Sequence, residues 1–145
     1  MDNIVKKTAD YKKNTKKIIV KTMTVENSVK QVFDFFSEGK NLELGGAIKS
    51  LIKNEDSVWT FEHNIAGKSM MKNFFIPEYG ILDHIFIGGG LEWHVFIRAI
   101  PNGQGSTTTW TLTRPDGLND NQFEEQLEIF EIEITKWKKA LEDSK

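Results

Sequence analysis

The carboxylate of Asp83 is the side chain whose type and position best suit chemistry. It interrupts an alternating apolar stretch, residues 81–87, that predicts a β-strand. If residues 88–90 form the following hairpin loop, Asp83 faces Val95 and lies on the apolar side of the sheet. A carboxylate there needs a hydrogen-bond partner or a proton, and a protonated one suits acid–base work on a bound molecule. The alternative is that Asp83 lies near a strand end and bonds backbone or water.

Histidines raise a second kind of chemistry, metal binding. The same register places His84 and His94 directly across from each other on the opposite face, where two imidazoles can begin a zinc site. A third ligand is not evident, because Glu92 and the more distant His63 are poor candidates. We therefore expect no metal and no other cofactor, and a surface pair or a dimer contact is the alternative. His63 can instead point into a cavity.

Aromatic side chains are numerous, with 10 Phe and 4 Trp among the 145 residues. Those on the predicted core-facing positions can line a pocket for an apolar or aromatic ligand, or they can simply fill the core. The residues that we assign to such a pocket are Trp59, Phe61, Phe74, Trp93, Trp110 and Phe130.

A long C-terminal helix, predicted over residues 120–141, must cover this pocket. Its large apolar residues follow one another at intervals of four, three, four, three and four, which places them on one helical stripe. Acidic residues come early and lysines late, as the helix dipole favours. The stripe consists of Phe123, Leu127, Phe130, Ile134, Trp137 and Leu141.

The chain before this helix predicts a sheet. Residues 17–25 are typical of a strand, and residues 29–36 of a helix with Ser28 as its N-cap. From residue 47 to 113 the apolar period is two, and short turns divide this stretch into six strands, so the sheet has about seven antiparallel members. We place the six strands at 47–53, 57–64, 69–75, 81–87, 91–99 and 106–113.

Composition and charge limit the function classes. The net charge of −2 argues against a general nucleic-acid binder, and the absence of cysteine excludes disulfides. No apolar run approaches the ~20 residues of a membrane span, so we expect a cytoplasmic protein. Residues 1–16 form a polar, Lys-rich arm with at most a helical turn, and one domain occupies residues 17–145. The arm can touch an acidic surface or remain solvated.

The order of these elements resembles the helix-grip fold of the START-like (SRPBCC) superfamily, which includes polyketide cyclase/dehydrase-like, lipid-transfer and pollen-allergen-like proteins. Residues 25–36, VENSVKQVFDFF, are similar to that family's entry into its first helix. Residues 79–84, YGILDH, and 98–106, RAIPNGQGS, resemble a branch of small, single-domain bacterial members, as does the C-terminal stretch from 120 to 142. The resemblance covers about residues 17–145 and implies an α+β helix-grip fold, a curved antiparallel sheet wrapped around the C-terminal helix.

The resemblance also implies a function. We expect a hydrophobic small molecule, a lipid or polyketide-like compound, to bind between sheet and helix in a cavity above about 300 Å³. One alternative is a cyclase- or dehydrase-type enzyme that uses Asp83 as its acid or base, assisted by His63 or Glu78.

A second alternative is a protein-interaction module, like the chaperone-ATPase activators that share this fold. It would use the outer sheet face, to which the predicted register assigns His84, Phe86, His94 and Phe96. A homodimer through this face is left open.

Overall fold

The computed structural model describes residues 15–144. Seven strands form one antiparallel sheet in the order β1-β7-β6-β5-β4-β3-β2. All but the last two residues of the predicted N-terminal arm lie outside the described residues. The elements are β1 (Ile18–Val25), α1 (Val29–Ser37), a 3-10 turn (Lys40–Gly45), β2 (Ile48–Lys53), β3 (Val58–His63), β4 (Gly67–Ile76), a 3-10 turn (Pro77–Tyr79), β5 (Ile81–Gly88), β6 (Leu91–Asn102), β7 (Gly105–Thr113) and α2 (Asp120–Asp143).

Both helices begin with a reciprocal capping box. The Ser28 hydroxyl accepts the Gln31 N–H, and the Gln31 side chain accepts the Ser28 N–H in return. Asn119 and Gln122 repeat this arrangement at the start of α2. Each box satisfies two backbone donors that a helix start otherwise leaves without partners, so the sequence fixes both starting points locally.

Helix α2 lies on the concave face of the sheet and supplies one wall of the core. Phe123 is fully buried, and Trp137 packs its ring near those of Phe36 and Trp110, with centroid distances of 5.4 and 6.3 Å. The predicted stripe is thus the buried face of this helix, with Phe130 half-buried at its edge. Among residues 15–144, no helix is both long enough and apolar enough to cross a bilayer.

The predicted register of β5 against β6 was wrong by one residue. The loop contains only Gly89 and Gly90, both with positive φ (60° and 77°), which is the backbone of a two-residue hairpin turn. His84 therefore pairs with Val95. A shift of one residue turns every side chain of a strand to the other face. The inner face of β5 is consequently formed by Leu82, His84 and Phe86, and Asp83 faces outward.

The register of β6 against β7 differs from the prediction by two residues, which leaves the faces unchanged. Val95 pairs with Leu112, and Ile97 pairs with Trp110. All four side chains remain on the concave side, as predicted, and all four are buried.

Candidate functional site

A cavity of about 250 Å³ lies between the concave face of the sheet and α2. This is somewhat below the expected 300 Å³, but well above the ~150 Å³ that suffices for benzene in an apolar cavity. The space therefore fits a molecule of one or two rings better than a long lipid chain. Aromatic rings from several elements form much of its wall: Phe36, Trp59, Phe75, Phe86, Trp93, Trp110, Phe130 and Trp137.

Four of the six aromatic residues predicted to bind ligand lie on this wall, namely Trp59, Trp93, Trp110 and Phe130. Phe61 is buried on the concave face but sits behind the wall, where its ring packs 5.5 Å from that of Phe86. Phe74 was predicted wrongly. It is 48% exposed, because the even-numbered positions of β4 point away from the helix.

Asp83, the predicted acid or base, does not border the cavity. Its carboxylate accepts the backbone N–H of Ile97 at 2.7 Å, at the edge of an interruption in the pairing between β5 and β6. The backbone-bonded alternative is therefore what the structure shows, and the register correction is the reason. Glu78, its suggested assistant, is exposed in the turn Pro77–Tyr79 and is likewise absent from the wall.

The predicted pair of histidines is not formed. His84 lines the cavity, whereas His94 is exposed on the outer face beside Glu92, with 2.9 Å between their Nε2 and Oε2 atoms. Within the described part of the chain, no three His, Asp or Glu side chains are grouped closely enough to hold a metal ion. Burial lowers the pKa of His84 to about 4, and a hydrogen bond with the Leu82 backbone only partly opposes this. His84 is therefore neutral at pH 7.

Two of the four residues that were assigned to a partner-binding outer face do not lie there, because the register of β5 against β6 differs by one residue from the prediction. His84 and Phe86 point into the cavity, while His94 and Phe96 remain outside.

His63 does reach the cavity wall, as the alternation with its neighbours suggested. Its Nδ1 accepts the backbone N–H groups of Ile65 and Ala66 at 3.2 and 3.1 Å. Burial lowers the pKa of His63. Because Nδ1 is an acceptor, the neutral ring carries its hydrogen on Nε2.

Glu133 is the polar residue of the site that sequence reasoning missed. It lies on α2, borders the cavity and is only 8% exposed, and its Oε2 atom has no hydrogen-bond partner among the described residues. Burial raises the pKa of Glu133 to about 8, although the charge of Lys136 opposes the rise. A usable signal was present, since Glu133 follows Phe130 by three residues and precedes Trp137 by four, which places it on the apolar stripe.

The 3-10 turn Lys40–Gly45 packs closely against this part of the helix. The Trp137 indole N–H donates to the carbonyl of Leu42 at 3.2 Å. A β-carbon at Gly45 would lie 2.7 Å from Trp137 Nε1 and 3.1 Å from Glu133 Oε2. Gly45 therefore allows the turn to close over Glu133, which removes the carboxyl group from bulk water.

A second buried polar group lies beside His84. Asn73 pairs with His84 across β4 and β5, and it is buried with neither amide atom hydrogen-bonded within residues 15–144. Buried polar atoms normally have a partner. This region of the interior thus combines apolar walls with polar groups that have unused hydrogen-bonding capacity.

The polar side chains of the wall are neutral around pH 7. His63 and His84 are unprotonated, Glu133 retains its proton, and Gln126 has no charge. None of the wall residues in the described chain is Lys or Arg. The arrangement can hold an apolar body and exchange one or two hydrogen bonds with it, and it offers no countercharge to an anion.

Comparison with known proteins agrees with this architecture. No protein-family profile and no curated protein matches the sequence. Among solved structures, a START superfamily protein from Mycobacterium smegmatis superposes with a TM-score of 0.73 at 12% identity, covering 88% of this chain and 99% of that one. The Zhui aromatase/cyclase from a Streptomyces species gives 0.65 at 10% identity, covering 87% and 93%. Ara h 8.0201 gives 0.69 at 12% identity, covering 86% and 97%.

The chain therefore has the START-like helix-grip fold, as the sequence resemblance implied. Its architecture is α+β, with seven antiparallel strands and one long C-terminal helix.

Proposed function

We propose that this protein binds a small hydrophobic molecule in the cavity between its sheet and α2. The observation that carries this proposal is the wall itself, in which eight aromatic rings surround a space of about 250 Å³ with only a few polar groups. Ligand sites are typically concave, mostly apolar and furnished with a small number of placed polar groups. The likeness in fold to a START superfamily protein and to an aromatase/cyclase is consistent with this use of the cavity.

Acid–base catalysis by Asp83 is not part of the proposal. Its carboxylate is engaged with the Ile97 N–H and lies off the cavity wall.

The test is a binding measurement with a pair of matched variants on the same strand. Val95 is buried and borders the cavity, whereas Ile100 is 42% exposed on the outer face. Val95→Phe fills the cavity and Ile100→Phe adds the same ring outside it. Isothermal titration with naphthalene should give saturable binding to the wild type and to Ile100→Phe, and affinity should fall about tenfold or more in Val95→Phe.

A second cavity-filling substitution with a smaller side chain keeps the test decisive if Val95→Phe does not fold. Ala47 also borders the cavity, so Ala47→Leu should weaken naphthalene binding in the same direction. Equal affinity for naphthalene in the wild type, Val95→Phe and Ala47→Leu would show that naphthalene binds outside the cavity and would contradict the proposal. The absence of any binding to the wild type would also contradict it.

A further inference from the structure

Glu133 is a buried carboxyl group on the cavity wall, and its Oε2 atom has no hydrogen-bond partner within residues 15–144. We propose that the ligand is an uncharged aromatic molecule of one or two rings, with a carbonyl-type oxygen that accepts a hydrogen bond from the Glu133 carboxyl group. This inference rests on the proposed function and narrows it to a chemical class, against anionic lipids such as fatty acids.

The geometry of Glu133 is the first argument. Its side chain projects from the apolar stripe of α2, is more than nine-tenths buried and borders the cavity. Its Oε2 atom lies close to Gly45 and has no hydrogen-bond partner in the described chain. A buried carboxyl group in this state is costly unless something bonds to it. Because the Glu133 side chain also borders the cavity, a ligand oxygen there is placed to bond to the carboxyl group.

Charge is the second argument. The cavity wall contains no Lys or Arg within residues 15–144, so a ligand carboxylate would be buried without a countercharge. Burial also keeps Glu133 protonated, since it raises the pKa of this group to about 8. A protonated carboxyl group is a hydrogen-bond donor, which matches a carbonyl oxygen.

The size and chemistry of the wall are the third argument. A volume of about 250 Å³ admits a two-ring molecule but leaves little room for a long acyl chain. Phe130 and Trp137 lie about one turn before and after Glu133 on α2, and Trp110 lies on β7. The centroids of these three rings are 5.8 to 6.3 Å apart. Flat aromatic molecules pack favourably against such rings.

Other titratable and charged groups surround this part of the helix and must be separated from the effect of Glu133. They are Lys136 on α2 itself, Lys40 and Glu43 in the adjoining turn, Lys21 on β1 with its partner Glu131, and His63 and His84 across the cavity. The two histidines have lowered pKa values, so neither changes charge above pH 7.

The experiment uses three probes with one ring system: naphthalene, 2-acetylnaphthalene and 2-naphthoate. At pH 7 the wild type should bind the ketone about three- to tenfold more tightly than naphthalene, which is the effect of one neutral hydrogen bond. It should bind 2-naphthoate most weakly, because the buried carboxylate has no cation to meet. The ketone affinity should then fall as the pH rises past 8 and Glu133 loses its proton.

Two variants assign these effects to Glu133. Glu133→Gln keeps an N–H donor without a titratable proton, so it should retain the preference for the ketone and show the same affinity from pH 6 to 9. Glu133→Leu removes the donor, so the ketone should lose its advantage over naphthalene in this variant. Thermal melts verify that both variants fold, and Glu133→Met replaces the Leu variant if that one does not.

The outcomes separate the two proposals. Equal binding of naphthalene and the ketone by the wild type, or tightest binding of 2-naphthoate, overturns the role of Glu133 while leaving a hydrophobic site intact. No binding of any probe, naphthalene included, overturns the proposed function and this inference with it.

Discussion

Glu133 carries an energetic cost that depends on pH. Its pKa is near 4.5 in an unfolded chain and about 8 in the folded protein, because burial disfavours the ionised form. Between these values the folded state holds a proton that the unfolded state has released. The contribution of Glu133 to the free energy of unfolding therefore falls as the pH rises from 4.5 to 8, by at most about 1.4 kcal/mol per pH unit.

His84 acts in the opposite direction and partly hides this slope. Its pKa is lowered from 6.5 to about 4, so the unfolded chain takes up a proton before the folded protein does. That contribution to stability is present above pH 6.5 and is lost as the pH falls towards 4. The two slopes oppose each other between pH 4.5 and 6.5, and Glu133 acts without this opposition from 6.5 to 8.

We therefore predict that Glu133→Gln gains stability relative to the wild type as the pH rises. The difference in the free energy of unfolding should grow by about 1 kcal/mol or somewhat more between pH 6.5 and 8, because the amide cannot ionise. Urea denaturation at pH 5.5, 6.5, 7.3 and 8 measures it. Glu128→Gln, on the exposed side of α2, is the matched control and should follow the wild type. A constant difference across this range would show that Glu133 ionises normally.

At the scale of elements, the length of the loop between β5 and β6 determines which side chains of β5 face the cavity, and the sequence did not specify that length. The capping residues Ser28 and Asn119 and the stripe of α2 are local patterns, so both helices follow from the sequence alone. The sequence GGG, however, is compatible with a two- or a three-residue loop. The shorter loop turns Asp83 away from the cavity and His84 towards it. The alternation of apolar residues within β5 cannot distinguish the two loop lengths.

Asp83 has a structural role within the same hairpin, and it leads to a second prediction. Its carboxylate accepts the Ile97 N–H where the ladder between β5 and β6 is interrupted. Asp83→Ala leaves this half-buried donor without its partner and should destabilise the protein by about 1–3 kcal/mol. Asp83→Asn retains an acceptor oxygen and should cost less. Urea denaturation compares the two variants.

Ligand binding distinguishes this structural role from a catalytic or binding one. Both Asp83 variants should bind 2-acetylnaphthalene as the wild type does, because the side chain lies off the cavity wall. If Asp83→Asn bound 2-acetylnaphthalene more weakly while its stability was unchanged, Asp83 would have a role in ligand binding.

At the scale of the whole molecule, the division between cavity wall and filled core could not be predicted from the sequence. Phe61 and Trp59 occupy equivalent inward positions two residues apart on β3, yet only Trp59 borders the cavity. That outcome depends on how far the sheet curves away from α2 and where the turn Lys40–Gly45 closes. Glu133 illustrates the same point, since its burial requires the close approach of Gly45 from a distant part of the chain.

The outer face of the sheet leads to the last prediction, which concerns the oligomeric state. Phe74 and Phe96 are about half exposed there, but Asp83 pairs with Phe74 and Arg98 lies two residues from Phe96 on β6. Stable interfaces bury roughly 800 Å² on each partner and exclude charge from their centre. Because charges divide the apolar residues, we expect a monomer of 16.6 kDa rather than the homodimer that the sequence left open.

Sedimentation velocity of the wild type and of Arg98→Leu tests this argument. The variant joins Phe96 to Ile81, with which residue 98 is paired, and should self-associate as concentration rises. Lys30→Leu, a substitution of another exposed cation on α1, is the control and should remain monomeric. A wild-type dimer would show that the charged residues do not interrupt the surface, and Phe96→Glu would then be expected to dissociate it.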